Sequence, residues 1–244
     1  VMVEDVTEQA AINERINRAE KLSALGVLAS GVASELKSYI NKMVMDLNFI
    51  RNNIDEDNPA SNYCTDLHDE LERIKTISEQ LISLAAIDEE DKSVIKINGI
   101  IEKPPVSLSL NRMQELGYKI NINLAVDSPE INATKNQLQQ IFLQFIKNAE
   151  EAMPHKGTLD IATQNIMIKD VQHAVITFAD SGIGIPNENY NKIFQPFFTT
   201  KGKHATGLGL MIASTIIDNL NGSIGIKSSP GEGTSFKIIM PATG

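Results

Sequence analysis

The chain has 244 residues, 42% of them hydrophobic, with a formal net charge of -9, enough for one large or two small domains. That acidity argues against a general nucleic-acid binder, which carries a basic face, so no nucleic-acid partner is expected. One cysteine, Cys64, excludes an intramolecular disulfide and suits a reducing cytoplasm.

No run approaches the roughly 18 apolar residues of a membrane span, and no secretory signal opens the chain. The chain starts at Val1, so the expectation is a fragment, with a sensor or a membrane anchor upstream. From Asp5 to Ile54 there is no proline, and Gly26 and Gly31 are the only glycines. Apolar or small residues recur at Leu22, Leu25, Ala29, Val32, Leu36, Tyr39, Met43, Leu47, Ile50 and Ile54. Steps of mostly three and four predict a long amphipathic or coiled-coil helix, capped by Asp5 with Glu8. "NNIDEDNPASN", Asn52 to Asn62, reads as a polar loop. A second stripe follows at Leu67, Leu71, Ile74, Ile77, Leu81 and Leu84. A short loop between two long helices predicts an antiparallel hairpin. Two helices cover such stripes poorly, so a second hairpin, pairing as a dimeric four-helix bundle, is expected; packing against the rest of the same chain is the alternative.

"DEEDKS", Asp88 to Ser93, reads as the linker between domains. Beyond it, "KININLAV", "TLDIATQNIMI", "HAVITFAD" and "TSFKIIM" predict strands. "NQLQQIFLQFIKNAEEAM" and "GLGLMIASTIIDNL" predict helices. Pro104 and Pro105 should break the helical pattern of "INGIIEKPPVSLSLNRMQELG". The fold class is therefore multi-domain, α followed by α+β: a helical hairpin, then an α/β sandwich with helices on one face of a mixed sheet.

Four segments of the second domain need a common ligand to explain them together. In "QFIKNAEEAM", Gln144 and Asn148 are four apart and project from one helix face. Amide oxygens there suit a hard cation that keeps most of its waters, as Mg2+ does; alone, such an asparagine is ordinarily just exposed. In "ITFADSGIGIP" a strand runs into Asp180, whose carboxylate can accept from an exocyclic amino group; Gly182 and Gly184 let a planar base approach the backbone. Alone, this is a glycine turn closing a strand. In "NKIFQPFFTTKGKHATGLGL", two glycines open a helix, and free N–H groups at a helix start favour phosphate. Thr199 to Thr206 form a cationic, hydroxyl-rich cover, which Phe194, Phe197 and Phe198 are expected to anchor. "SSPGEGTSFKIIMP" reads as a turn and closing strand, with Thr234 in reach of the base pocket.

These motifs follow one another within about ninety residues, and as a set they resemble the ATP-binding domain shared by sensor histidine kinases, gyrase B, heat-shock protein 90 and MutL. "IFQPFFTTK" and the last strand point to the histidine kinase branch. The resemblance runs from about Asn98 to Pro241 and implies ATP and Mg2+ as cofactors. It implies Asn148 as Mg2+ ligand, with Gln144 a weaker candidate standing where this branch often has asparagine. Asp180 would accept from the adenine amino group, with Gly182, Gly184, Ile185 and Thr234 shaping the base pocket. Thr206, Gly207, Leu208 and Gly209 would serve the phosphates, and Thr199, Thr200 and Lys201 would lie in the lid. Ala205 departs from the usual first glycine of "GTGLGL", which would stiffen that lid.

"AEKLSALGVLASGVASELKSYINKM" is similar to the dimerisation and phosphoacceptor segment of the same kinases. The resulting division is 1–21 as a signalling helix leaving a PAS-type sensor, 22–90 as the dimerisation and acceptor hairpin, and 91–244 as the ATP-binding domain. The resemblance implies a homodimer, an upstream sensor domain and a response-regulator receiver domain as partners. Ser34 stands at the acceptor-histidine position, beside Glu35, and Tyr39 replaces the usual proline. Ser34 falls between stripe residues Val32 and Leu36, a position turned toward solvent, with Ser38 one turn on. A neutral imidazole, with a pKa of about 6.5, is a ready nucleophile; a serine hydroxyl needs an activating base. Seryl phosphate is moreover a stable ester that would not pass on its phosphoryl group. His68, His155 and His173 lie outside the acceptor motif, and His204 falls in the lid. Three readings stay open: a kinase core with its acceptor replaced, a pseudokinase that binds ATP and signals by conformation, and a protein-serine kinase of the same superfamily. Glu35 with Ser38 stands where the family's phosphatase pair would be, and phosphatase activity is expected to be weak or absent.

Overall fold

The structure is a computed structural model that describes residues 36–54, 58, 60–85, 91–201 and 205–243. The chain divides into two compact units, Val1–Glu89 and Glu90–Gly244. No helix among the described residues is long and apolar enough to cross a membrane.

The first unit contains helix α1 over residues 36–52 and helix α2, Ala60–Ala85. Lys37, at the start of α1, pairs with Glu79 of α2 across 3.1 Å. Along the described side chains of α2 the buried positions are Cys64, Leu71 and Ser78, spaced by sevens, which is the period of one helix seam. Leu67 and Ile74 of the expected stripe are exposed. In α1 the buried residue is Ile40, 1% exposed, whereas Leu36, Tyr39, Met43 and Ile50 are exposed. The seam is therefore narrower than the sequence stripe, and it leaves Leu36, Tyr39, Met43, Leu67 and Ile74 exposed.

The second unit begins with β1 (Ser93–Lys96), α3 (Ile97–Ile101) and α4 (Val106–Glu115). The break expected at Pro104 and Pro105 separates the two helices. Next come β2 (Lys119–Asn123), β3 (Glu130–Ala133), α5 (Lys135–Ala152), β4 (Thr158–Ile168) and β5 (Val171–Asp180). A short 3-10 turn at Asn187–Asn189, α6 (Gly209–Asn219), β6 (Ser223–Ser229) and β7 (Gly233–Pro241) complete it. The main sheet runs β2-β4-β5-β7-β6, with β2 parallel to β4 and the other pairs antiparallel. β1 and β3 form a separate antiparallel ribbon.

Strand register sorts the side chains into two faces. One row reads Ile122, Ile161, Phe178, Phe236 and Ile226 across all five strands. On the opposite face the matching row reads Asn121, Asp160, Ala179, Ser235 and Lys227. The sheet is thus apolar toward the helices and polar away from them. α5 lies on the apolar face because Leu138, Ile141, Phe142, Phe145, Ile146 and Ala149 recur at helical spacing and are all buried. Phe145 stacks on Phe178 at 5.1 Å and tilts onto Phe236 at 5.0 Å, while Phe142 meets Phe178 edge-on at 5.2 Å. The start of α5 is fixed by a capping box. Thr134 accepts from the Gln137 N–H (3.1 Å), and the Gln137 side chain accepts from the Thr134 N–H (3.0 Å). Thr134→Ala is expected to cost about 1 kcal/mol in urea unfolding; an unchanged midpoint would show that packing alone sets this helix start.

Candidate functional site

The apolar face of the sheet ends in a polar row. Where β4, β5, β7 and β6 run out, Leu159 is followed across the sheet by Asp180, Thr234 and Ser228. Asp180 is 8% exposed. Burial pushes its carboxyl above the ordinary aspartate range, while the N–H groups of Gly182 and Thr234 and the charge of Lys201 pull it back. The Gly182 N–H donates to Asp180 Oδ1 at 2.8 Å.

The loop after Asp180 is held on two sides. The Ile183 N–H donates to the Ala152 carbonyl at the end of α5 (2.9 Å), and the Ile183 carbonyl accepts from the Gly231 N–H (2.8 Å). The Ile185 N–H donates to Ser228 Oγ (2.8 Å), which in turn donates to the Gly233 carbonyl (2.7 Å) and lies 3.0 Å from Thr234 Oγ1. The Tyr190 hydroxyl donates to the Ser228 carbonyl and accepts the Ser228 N–H (3.0 Å). Gly184 has a φ of +71, and a Cβ there would collide with the Ser229 carbonyl. Only glycine lets the loop approach the β6–β7 turn this closely. No local motif in the sequence marks Ser228 or Tyr190. Their roles come from cross-strand contacts that local spacing does not reveal.

Asn148 and Gln144 both lie half-buried on α5. A Cβ added at Gly209 would run into Gln144 Oε1, so that side chain faces the opening of α6. Lys201 is brought to Asn148 from the far side of the loop. Its Nζ donates to Asn148 Oδ1 (2.6 Å), to the Asn148 carbonyl (3.1 Å) and to Glu151 Oε2 (3.1 Å). Burial holds this ammonium below the usual lysine range, Glu151 and Asp180 draw it back up, and Lys147 pushes it further down. The Lys201 N–H donates to Thr199 Oγ1 at 3.1 Å. Thr199 and Thr200 are exposed. The start of α6 has no side-chain cap, and Leu208 N–H donates weakly to Thr206 Oγ1 (3.4 Å). Leu208 itself is buried. Gly207 has a φ of +68, and a Cβ there would collide with the backbone of Phe197.

Phe197 departs from its expected role. It is 65% exposed with a φ of 62, so its backbone meets Gly207 while its ring points outward. Phe194 and Phe198 are half-buried. Of the three expected anchors, Phe197 therefore does not act through its side chain. Ser34, Glu35 and His204 lie outside the described residues; Ser38 is exposed on α1.

The residues present fit a magnesium nucleotide. Asn148 Oδ1 already holds a cation, the Lys201 ammonium, among oxygen donors of the hard class that Mg2+ takes. The buried Asp180 acceptor beside a tightly pinned glycine loop fits a planar amino-bearing base. The uncapped start of α6 fits phosphate.

Residues 133–244 match the family described as "Histidine kinase-, DNA gyrase B-, and HSP90-like ATPase". That match covers most of the second unit. Over nearly its whole length the chain is, further, similar to sensor kinases. It is 36% identical to sporulation kinase A of Bacillus subtilis over 244 residues, covering 99% of this chain and 38% of that protein. It is 30% identical to the signal transduction histidine-protein kinase AtoS of Escherichia coli, covering 99% and 39%. The chain therefore spans well under half the length of these relatives. Among solved structures, full-length ShkA in complex with AMPPNP superposes with a TM-score of 0.69 at 23% identity, covering 90% of this chain and 46% of that one. The nucleotide-free catalytic domain of histidine kinase ThkA gives 0.55 at 26% identity, covering 64% and 100%.

Proposed function

We propose that this chain is the catalytic core of a two-component sensor histidine kinase. Its second unit binds ATP with Mg2+, and its first unit forms a helical hairpin that pairs with a second copy as a four-helix bundle. The observation that carries the nucleotide reading is the polar row of Asp180, Thr234 and Ser228 closing an otherwise apolar sheet face beneath a glycine loop. Asp180 accepts from the base amino group, and Gly182, Gly184, Ile185 and Thr234 shape the slot around the ring. Gly207 and Gly209 leave backbone donors open for the phosphates, with Thr206 and Leu208 setting that turn and Thr199, Thr200 and Lys201 above it. Asn148 offers its amide oxygen to the metal, which when bound neutralises charge on the terminal phosphates; Gln144 stands one turn away. The apolar face left on α1 and α2 by Leu36, Tyr39, Met43, Leu67 and Ile74 supports the bundle.

The hairpin would present position 34 to the nucleotide of the ATP unit, for in-line transfer to a histidine and then to the aspartate of a response-regulator receiver. Here that position is Ser34. The chain is therefore expected to bind ATP without labelling itself, and phosphorelay through it is expected to be lost. A single cysteine and the match to kinase cores support a cytoplasmic place for this stretch. At a hundredfold excess of Mg-ATP over its Kd, the ATP unit should melt about 5–10 °C higher. No shift with ATP or ADP would overturn the nucleotide reading and favour a scaffold.

A further inference from the structure

Lys201 occupies an unusual place for a residue of a nucleotide cover. Its three ammonium protons meet three oxygens, the side-chain and main-chain oxygens of Asn148 and one carboxylate oxygen of Glu151. The donor is satisfied, and its side chain is 23% exposed. The turn that aims it is fixed by the bond from its own N–H to Thr199 Oγ1. Glu151 is engaged on both oxygens, with Oε2 on Lys201 and Oε1 4.0 Å from Lys147. Asn148 and Glu151 lie three apart on α5, so both project toward the same side of the helix.

We propose that Glu151 and Asn148 latch the lid lysine, so that Lys201 fills the cation position of Asn148 and a nucleotide-bound Mg2+ gains that oxygen only by displacing it. This rests on the nucleotide reading above and adds a control on the same site. An ammonium and Mg2+ compete for one amide oxygen, so each excludes the other from it. Glu151 supplies the charge that makes the internal cation a strong competitor, and its own oxygens are not left over for the metal. Glu151 is thus a positioning residue acting through Lys201. Once displaced, Lys201 is free to turn toward phosphate, so metal arrival and the release of Lys201 become one event. The coupling is local and needs no movement of the sheet.

Two measurements on the full 244-residue chain test the latch. The first is the Mg2+ concentration that half-saturates the magnesium-dependent gain in ADP affinity, read by calorimetry. Glu151→Gln keeps the shape of the side chain and removes its charge, and Lys201→Met removes the internal cation. Both should lower the Mg2+ requirement, by about tenfold for Lys201→Met, at the low end of coupling factors between linked sites. An unchanged or higher requirement in both variants overturns the proposal, as does a higher one in Glu151→Gln, which would make Glu151 a servant of the metal. The second measurement needs no nucleotide. Trypsin cleavage after Lys201 in the ligand-free chain, followed by mass spectrometry, should be about tenfold faster in Glu151→Gln, since opening precedes cleavage. An unaltered rate also overturns the latch. Should the parent chain bind no ADP, the nucleotide reading falls, and the trypsin rate still decides whether Lys201 is held.

Discussion

Replacing Ser34 by histidine is expected to turn a silent chain into one that takes acid-labile label from γ-labelled ATP. The gain should be at least about 10³-fold over background, in keeping with the large losses seen when a catalytic nucleophile is removed. The second unit has its own folded core, and the groups proposed to hold nucleotide come from α5, the loop after β5, Thr199 to Lys201 and β7. None of them depends on the residue at 34. A histidine there would supply a nucleophile without an added base, whereas a serine hydroxyl requires one. The phosphoramidate is lost in acid and a seryl ester is kept, so the label's stability identifies its attachment. Acid-labile label on the unchanged chain would overturn the assignment of Ser34 as a dead acceptor. Continued silence of Ser34→His, with ATP still bound, would sink the kinase-core reading and leave signalling by conformation.

Asp180→Asn should separate binding from stability. The Asn amide can keep the bond from the Gly182 N–H through its oxygen, but it then turns an NH2 donor toward an incoming amino group. The lost charge-assisted bond is worth about 1.5–3 kcal/mol, so ATP affinity should fall roughly 10- to 100-fold. Stability should move the other way. Burial raises the folded-state pKa of Asp180 above the unfolded reference of 3.8, so ionisation costs the folded protein stability. That cost is absent below the reference value, grows as pH rises from it toward the raised value and is complete above the raised value. The ligand-free variant should therefore melt above the parent at pH 7 and lose that advantage near pH 3.5. A variant that melts lower at pH 7 would show that the N–H groups and Lys201 outweigh desolvation. An enzyme site that stores such a cost trades stability for binding.

Much of the second unit was readable because its elements are long and periodic. β4, β5, β7, α5 and α6 lie where alternating or 3.6-residue patterns put them. β1 and β3 were not read, since each has four residues and exists through pairing with the other across more than thirty positions. β6 was missed because "SIGIKSS" carries a glycine and three serines, and its isoleucines alone are a thin signal. On α1 the apolar stripe is visible in the sequence, but not which of its neighbours is buried; Ile40, outside that stripe, is buried. At the site, Asn148, Asp180 and the glycines stood out as local motifs. Glu151, Ser228 and Tyr190 did not, because the Tyr190–Ser228 and Lys201–Glu151 bonds span 38 and 50 residues. Phe197 reads as an anchor beside Phe194 and Phe198, whereas the structure exposes its ring at a positive φ.

The row that ends the sheet has a practical consequence for anyone preparing this protein. Asp180, Thr234 and Ser228 come from three separate strands, and they share a face only because β5, β7 and β6 pair as they do. A slip of one residue in any pair would carry one member to the polar side and break the trio. Such a slip would leave secondary-structure content nearly unchanged and escape circular dichroism. On the proposed nucleotide reading ADP affinity would not escape it, so titration with ADP is expected to measure the fraction of a refolded sample whose strands are aligned.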